Sequence, residues 1–149
     1  MSIYFYSQID DHAYLSNFSP HGFELDGVYW PTVEHYFQAQ KFAGHDHAKR
    51  IRRARTPKEA KRLGRSRAHP LRRDWEAVKD DVMRRAVQRK FEAHADLRER
   101  LLATGNETLI ENARHDYYWG CGADGSGLNR LGRILMEVRA ALREQNEFL

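Results

Sequence analysis

Apolar and polar positions follow short-range β patterning over the first thirty residues and helical spacing over most of the remainder. Ile3–Tyr6 is a β-rich run closed by the polar stretch Ser7–His12. Phe23–Leu25 and Val28–Trp30 flank Asp26 and Gly27, a pair that tolerates positive φ and so suits a type I′ hairpin turn. Ser16–Gly22 ahead of the hairpin has loop composition. After Pro31, Thr32 caps a helix that should run to about Phe42, with Gly44 just beyond. Thr56-Pro57-Lys58-Glu59 reads as a capping box with proline at the first helical position, and Gly64 suits the stop of that helix. Asp74 can cap the longest helix, about Trp75 to His94. Two adjacent apolar rows, Trp75/Val78/Val82/Ala86 and Met83/Val87/Phe91, imply burial against more than one neighbour. Asp96 is read as the cap of a further helix ending at Gly105, and Leu109-Ile110 as a short strand. Asn129 to about Gln145 closes the chain as an amphipathic helix with Leu131, Ile134, Leu135, Val138 and Leu142 on its apolar side. No repeat, low-complexity tract or linker interrupts residues 1–149. The pattern predicts one α+β domain, a small antiparallel sheet with several surrounding helices.

Composition narrows the class. The 149 residues are 41% hydrophobic and 11% aromatic, enough to build a core and too apolar for a disordered chain. No apolar run approaches the roughly 20 residues of a membrane helix, and the start of the chain lacks the basic and apolar regions of a signal peptide. A soluble, cytoplasmic protein is expected. The single cysteine, Cys121, excludes a disulfide framework and a cysteine-rich zinc site. Charge is uneven. The net is +4, yet Lys49–Arg73 holds twelve Lys or Arg against one acid, Glu59, so the rest of the chain is acidic. Such a block can be a solvated helical face, a phosphate-binding wall or a nucleic-acid surface.

Two segments carry candidate chemistry. On the Thr32–Phe42 helix, Val33, Tyr36, Phe37, Ala39 and Ala43 share the core side. Glu34, Gln38 and Lys41 converge on the other, within about 60° at helical spacing. A carboxylate, an amide and an amine along one face can be catalytic. They can equally be a polar ladder that salt-bridges through solvent. The second segment, Asp116–Gly127, combines Asp116, Tyr117, Tyr118 and Trp119 with Gly120, Gly122, Gly125 and Gly127. Aromatics beside a carboxylate can stack a base, and a glycine-rich turn into a helix suits phosphate. A long structural loop is the competing reading. It is neither a Walker loop nor a dinucleotide fingerprint. His45-Asp46-His47 resembles a metal clip, but none of the eight histidines falls in a zinc pattern, and no metal or other cofactor is expected.

The ordered segments together resemble the NADAR family. The matches are Leu15–Phe18, Trp30–Phe42, Thr56–Ala60, Trp75 with Met83–Ala86, Leu101–Gly105, Asp116–Gly120, Asp124–Gly127 and Asn129–Gly132, which cover nearly the whole chain. The resemblance implies an α+β fold and an N-glycosidase that cleaves the bond between ribose and an exocyclic base nitrogen. Phosphoribosylated aminopyrimidine intermediates of riboflavin synthesis would be the substrates, with ribose 5-phosphate released. The alternatives are removal of ADP-ribose from guanine in nucleic acid, or a non-catalytic module that binds nucleic acid or ADP-ribose. By motif position it implies catalytic roles for Glu34, Lys41 and Asp116. Substrate contacts are implied at Asn17, Phe18, Trp75, Trp119 and Asn129, and the polar helix face and the glycine-rich loop add Gln38, Gly125 and Ser126 as candidates. The partners implied are a small ribosylated base or ADP-ribosylated nucleic acid, with no membrane; oligomeric state is left open.

Overall fold

The expected hairpin turn forms. In the computed structural model, which describes residues 1–6 and 11–147, Asp26 has φ +56° and Gly27 φ +81°, the left-handed pair of a type I′ turn. The polar break at Ser7–Asp10 lies outside the described residues. The element order is β1 (Ser2–Phe5), β2 (Phe23–Leu25), β3 (Val28–Trp30), α1 (Val33–Gln40), α2 (Asp46–Arg52), α3 (Pro57–Gly64), α4 (Trp75–Ala93), α5 (Ala95–Ala103), β4 (Thr108–Glu111) and α6 (Arg130–Glu147), with a 3-10 turn at Ala13–Leu15. The α+β class stands. No described helix is long and apolar enough to cross a membrane.

Backbone contacts group the chain into two compact units. The central unit, Pro20–Lys90, contains β2, β3, the first three helices and most of α4. β2 and β3 pair antiparallel, with Phe23 opposite Trp30. Both rings are buried and meet Tyr36 edge-on, at centroid distances of 6.5 and 5.0 Å. Tyr36 Oη donates to Asp26 Oδ2 at 2.9 Å and Arg85 donates to Asp26 Oδ1 at 2.7 Å, so the turn residue is tied to both α1 and α4. α1 packs against α2, α3 and β3, and Phe37, Phe42, Ile51, Ala60 and Leu63 are buried in this unit.

The terminal unit comprises Met1–Ser19 and Phe91–Leu149. β1 and β4 pair in parallel, from Ser2 opposite Thr108 to Phe5 opposite Glu111. About a hundred residues separate them, ample for the crossover a parallel pair requires. The strands therefore form two two-stranded ladders, one antiparallel as expected and one parallel. α6 lies against β4 and α5 against α6. Leu131, Ile134, Leu135, Val138 and Leu142 are all buried, as the periodicity of α6 implies.

Local details depart from expectation where side chains find other partners. α1 ends at Gln40 rather than Phe42. Thr56 caps α3 by accepting from Glu59 N, but the Glu59 side chain pairs with Arg62 instead of returning to the cap, leaving half a capping box. The Asp74 carboxylate is taken by Arg72 at 2.7 and 3.0 Å. α5 starts after His94, which places Asp96 inside the first turn rather than at the cap. His45-Asp46-His47 forms the start of α2, with His45 at its N-cap.

Candidate functional site

α1 begins where Thr32 Oγ1 accepts the backbone amide of His35 at 3.1 Å, and Glu34 in its first turn suits the positive end of the helix dipole. Every residue from Val33 to Ala39 is buried. Glu34 is only 6% exposed and Gln38 4%. The side of the helix opposite the apolar row is therefore not a solvated ladder. With α2, α3 and β3 all against the helix, the polar row is enclosed too.

Within this buried row Gln38 Nε2 donates to Glu34 Oε1 at 3.1 Å. One turn on, Lys41 caps the C-terminus of α1, half-buried, with Nζ 5.8 Å above the Phe37 ring and 3.5 Å from Gly64 O. Phe37 in turn meets the buried Trp75 edge-on at 5.1 Å. Gly64 closes the other side. A β-carbon built there would lie 2.0 Å from Gln38 Oε1, so only glycine lets α3 come this close.

The electrostatics favour proton exchange. Burial pushes the Glu34 carboxyl above its ordinary value, and it outweighs the Gln38 hydrogen bond and the charges of Lys61, Lys41 and Arg65. Burial likewise pushes the Lys41 ammonium down, against the attraction of Glu34 and with help from Arg65, Lys61 and Lys79. A carboxyl shifted upward and an amine shifted downward, on one helix face, are the groups a proton donor and a nucleophile require.

The basic block divides into several environments. Lys61 and Arg65 on α3 bring positive charge to Glu34. Arg62 is engaged by Glu59, and Arg72 by Asp74 and the carbonyl of Gln40. Lys49, Arg50, Arg53 and Arg55 line a groove of about 670 Å³ with Asp46 and Glu59; Glu34, Gln38 and Lys41 do not line it. Buried His35 sits between Thr32 Oγ1 (2.8 Å) and Ala54 O (2.9 Å), a structural arrangement. His47 lies 2.8 Å from Leu63 O and stacks on His69. Among the described residues no group of three or more His, Cys, Asp or Glu is placed to hold a metal ion.

The other residues singled out from sequence belong to the terminal unit. Asp116 Oδ1 accepts the amides of Tyr118 (3.1 Å) and Trp119 (2.9 Å), fixing the start of the glycine-rich loop. Trp119 is half-buried and packs edge-on against Tyr118. Gly125 has φ +85°, and Ser126 donates to Asp124 at 2.6 Å on an exposed turn. Asn17 and Phe18 are half-buried in the loop after the 3-10 turn. Asn129 is held at φ +50°, with its amide oxygen on Glu111 N (3.0 Å) and its amide nitrogen on Leu109 O (2.9 Å), a clamp between the start of α6 and β4.

Lys61 and Gly64 escaped the sequence reading as site residues. Their spacing carried the information, since Lys61, Gly64 and Arg65 follow i, i+3, i+4 and share one face of α3.

The NADAR domain family profile matches residues 4–143. The chain is 53% identical to an N-glycosidase of Nostoc punctiforme over 146 residues, covering 96% of this chain and 94% of that protein. It is 51% identical to the N-glycosidase YbiA of Escherichia coli over 94% of this chain and 88% of that one. The solution NMR structure of E. coli YbiA superposes with a TM-score of 0.90, covering 98% of this chain and 89% of that chain at 49% identity. A riboflavin biosynthesis protein of maize, PYRR, is 43% identical over 94% of this chain and only 25% of its own length.

Proposed function

The chain belongs to the NADAR family and is a hydrolase of N-glycosyl compounds, and from that premise we propose that it cleaves phosphoribosylated aminopyrimidines of riboflavin synthesis to ribose 5-phosphate and the free base. The reading takes residues 1–149 as one catalytic domain acting in the cytoplasm. The observation that carries it is the Glu34–Gln38–Lys41 row, with the acid and amide buried and the lysine half-buried, in which burial shifts the acid upward and the amine downward. The riboflavin name of the maize relative supports this substrate class.

Ribose attached through an exocyclic amine can open its ring to an imine at C1′. Neutral Lys41 Nζ adds to C1′, and the C1′–N bond to the base then breaks as Glu34 delivers a proton to the departing amine. Water attacks the resulting C1′–Nζ imine, and Glu34, now a carboxylate, takes its proton. The carbinolamine then collapses: its hydroxyl becomes the C1′ aldehyde, and the C1′–Nζ bond breaks with the proton passing from Glu34 to Nζ. Lys41 returns as the amine, and the open-chain ribose 5-phosphate closes its ring. Trp75 and Phe37 shield the lysine end of the row from water. For Asp116 as a catalytic group, and for Asn17, Phe18, Trp119 and Asn129 as substrate contacts, the proposal rests on the resemblance, and for Gly125 and Ser126 on the glycine-rich turn into α6.

Incubation of the pure protein with a phosphoribosylated aminopyrimidine should release free base and ribose 5-phosphate at the same rate with and without a chelator. Release only from ADP-ribosylated guanine would move the substrate assignment, and activity lost in chelator and restored by zinc would refute the mechanism. We assign the phosphate to Arg65, and its exposure and its charge influence on both Glu34 and Lys41 support that assignment. Arg65→Gln should raise KM about tenfold with a smaller change in kcat, the scale of one charge-assisted hydrogen bond. Arg67→Gln should leave both unchanged.

A further inference from the structure

Gly64 has no conformational reason to be glycine. It ends α3 but does not adopt positive φ, unlike Gly44 and Gly105, and the cap of the helix is Arg65. What demands glycine is a neighbour: the three atoms nearest a β-carbon built there are Oε1, Cδ and Cβ of Gln38, at 2.0, 2.7 and 2.8 Å. Among the described residues the buried Gln38 Oε1 has no hydrogen-bond partner, while Nε2 donates to Glu34. A buried acceptor left unpaired is unfavourable, so this side chain is not arranged for stability. The cost accompanies an amide aimed at the carboxylate.

We propose that Gly64 and Gln38 form a positioning pair: the bare Cα of Gly64 seats the Gln38 side chain so that its amide nitrogen holds and orients the Glu34 carboxylate. Neither residue need touch the reacting atoms. Because Gly64 O also lies 3.5 Å from Lys41 Nζ, one glycine sets the approach of α3 to both ends of the row. The pair matters for catalysis only through Glu34, and to that extent the inference rests on the function proposed above.

The test follows the Glu34 carboxyl carbon by NMR against pH, beside kcat, in wild type, Gly64→Ala, Gln38→Gly and the double variant. The Gln38 hydrogen bond favours the charged form of Glu34, so its loss moves the midpoint upward. The other charges acting on Glu34 (Lys41 at the end of α1, Lys61 and Arg65 on α3) are kept in every variant. Gly64→Ala and Gln38→Gly should each raise the midpoint, by about half a pH unit or more, and move the acidic limb of kcat with it. The double variant should shift no further than Gln38→Gly. It should also lose little thermal stability relative to Gln38→Gly, because the clashing side chain is gone. An unshifted midpoint in folded Gly64→Ala overturns the proposal. If Gly64→Ala alone does not fold, the double variant decides: folding supports the pair, and failure to fold shows that Gly64 serves something other than Gln38. A shifted midpoint with unchanged kcat would keep the pair and remove Glu34 from the chemistry.

Discussion

Glu34→Gln should lower kcat at least about a hundredfold, the low end for a general acid or base, and should make the protein more stable near neutral pH. The amide keeps the size of the side chain and can still accept from Gln38 Nε2, so the packing around α1 has no reason to change. It cannot deliver or take the proton. The stability gain follows from the sign of the shift. Burial raises the folded-state value of Glu34 above its ordinary 4.5. Its contribution to stability is therefore fully present below 4.5 and is lost as pH rises through the folded value. Above that value the wild type holds a buried carboxylate that the Gln variant does not. Steady-state kinetics and thermal unfolding between pH 4 and 8 check both halves. A variant with wild-type rate would return Glu34 to a structural role, and one with no stability gain would contradict the burial argument.

Lys41→Arg should abolish turnover. The substitution keeps a positive charge over Phe37 and near Gly64 O, so any role confined to charge or to orienting Glu34 survives it. What it removes is the neutral amine. Burial lowers the Lys41 value and so maintains a nucleophilic fraction, whereas a guanidinium stays protonated and forms no imine. Activity that persists in the folded Arg variant would mean that Lys41 orients and does not bond.

Much of the architecture was legible because it is local. The Asp26-Gly27 turn, the Thr32 and Thr56 caps and the apolar face of α6 each depend on residues within a few positions of one another. The parallel pairing of β1 with β4 was not legible, since the partners lie about a hundred residues apart. The polar face of α1 was found by spacing, but its meaning was not. A carboxylate and an amine at i and i+7 look the same whether water or another helix covers them, and here α3 does. α3 itself was disguised, because Lys61 and Arg65 are submerged in a run of like charge that reads as a solvated face. Gly64 ends α3, as its position suggests, but its closeness to Gln38 is a tertiary contact that no local pattern shows. The clamp of the Asn129 amide on Glu111 N and Leu109 O joins positions about twenty residues apart, which local sequence could not reveal.

Borohydride added during turnover of a phosphoribosylated aminopyrimidine tests the covalent chemistry most directly. Reduction of the C1′–Nζ imine should leave a ribose 5-phosphate adduct on the peptide containing Lys41, found by mass spectrometry in the wild type and missing from Lys41→Arg. An enzyme that releases free base at full rate while Lys41 stays unmodified would contradict it.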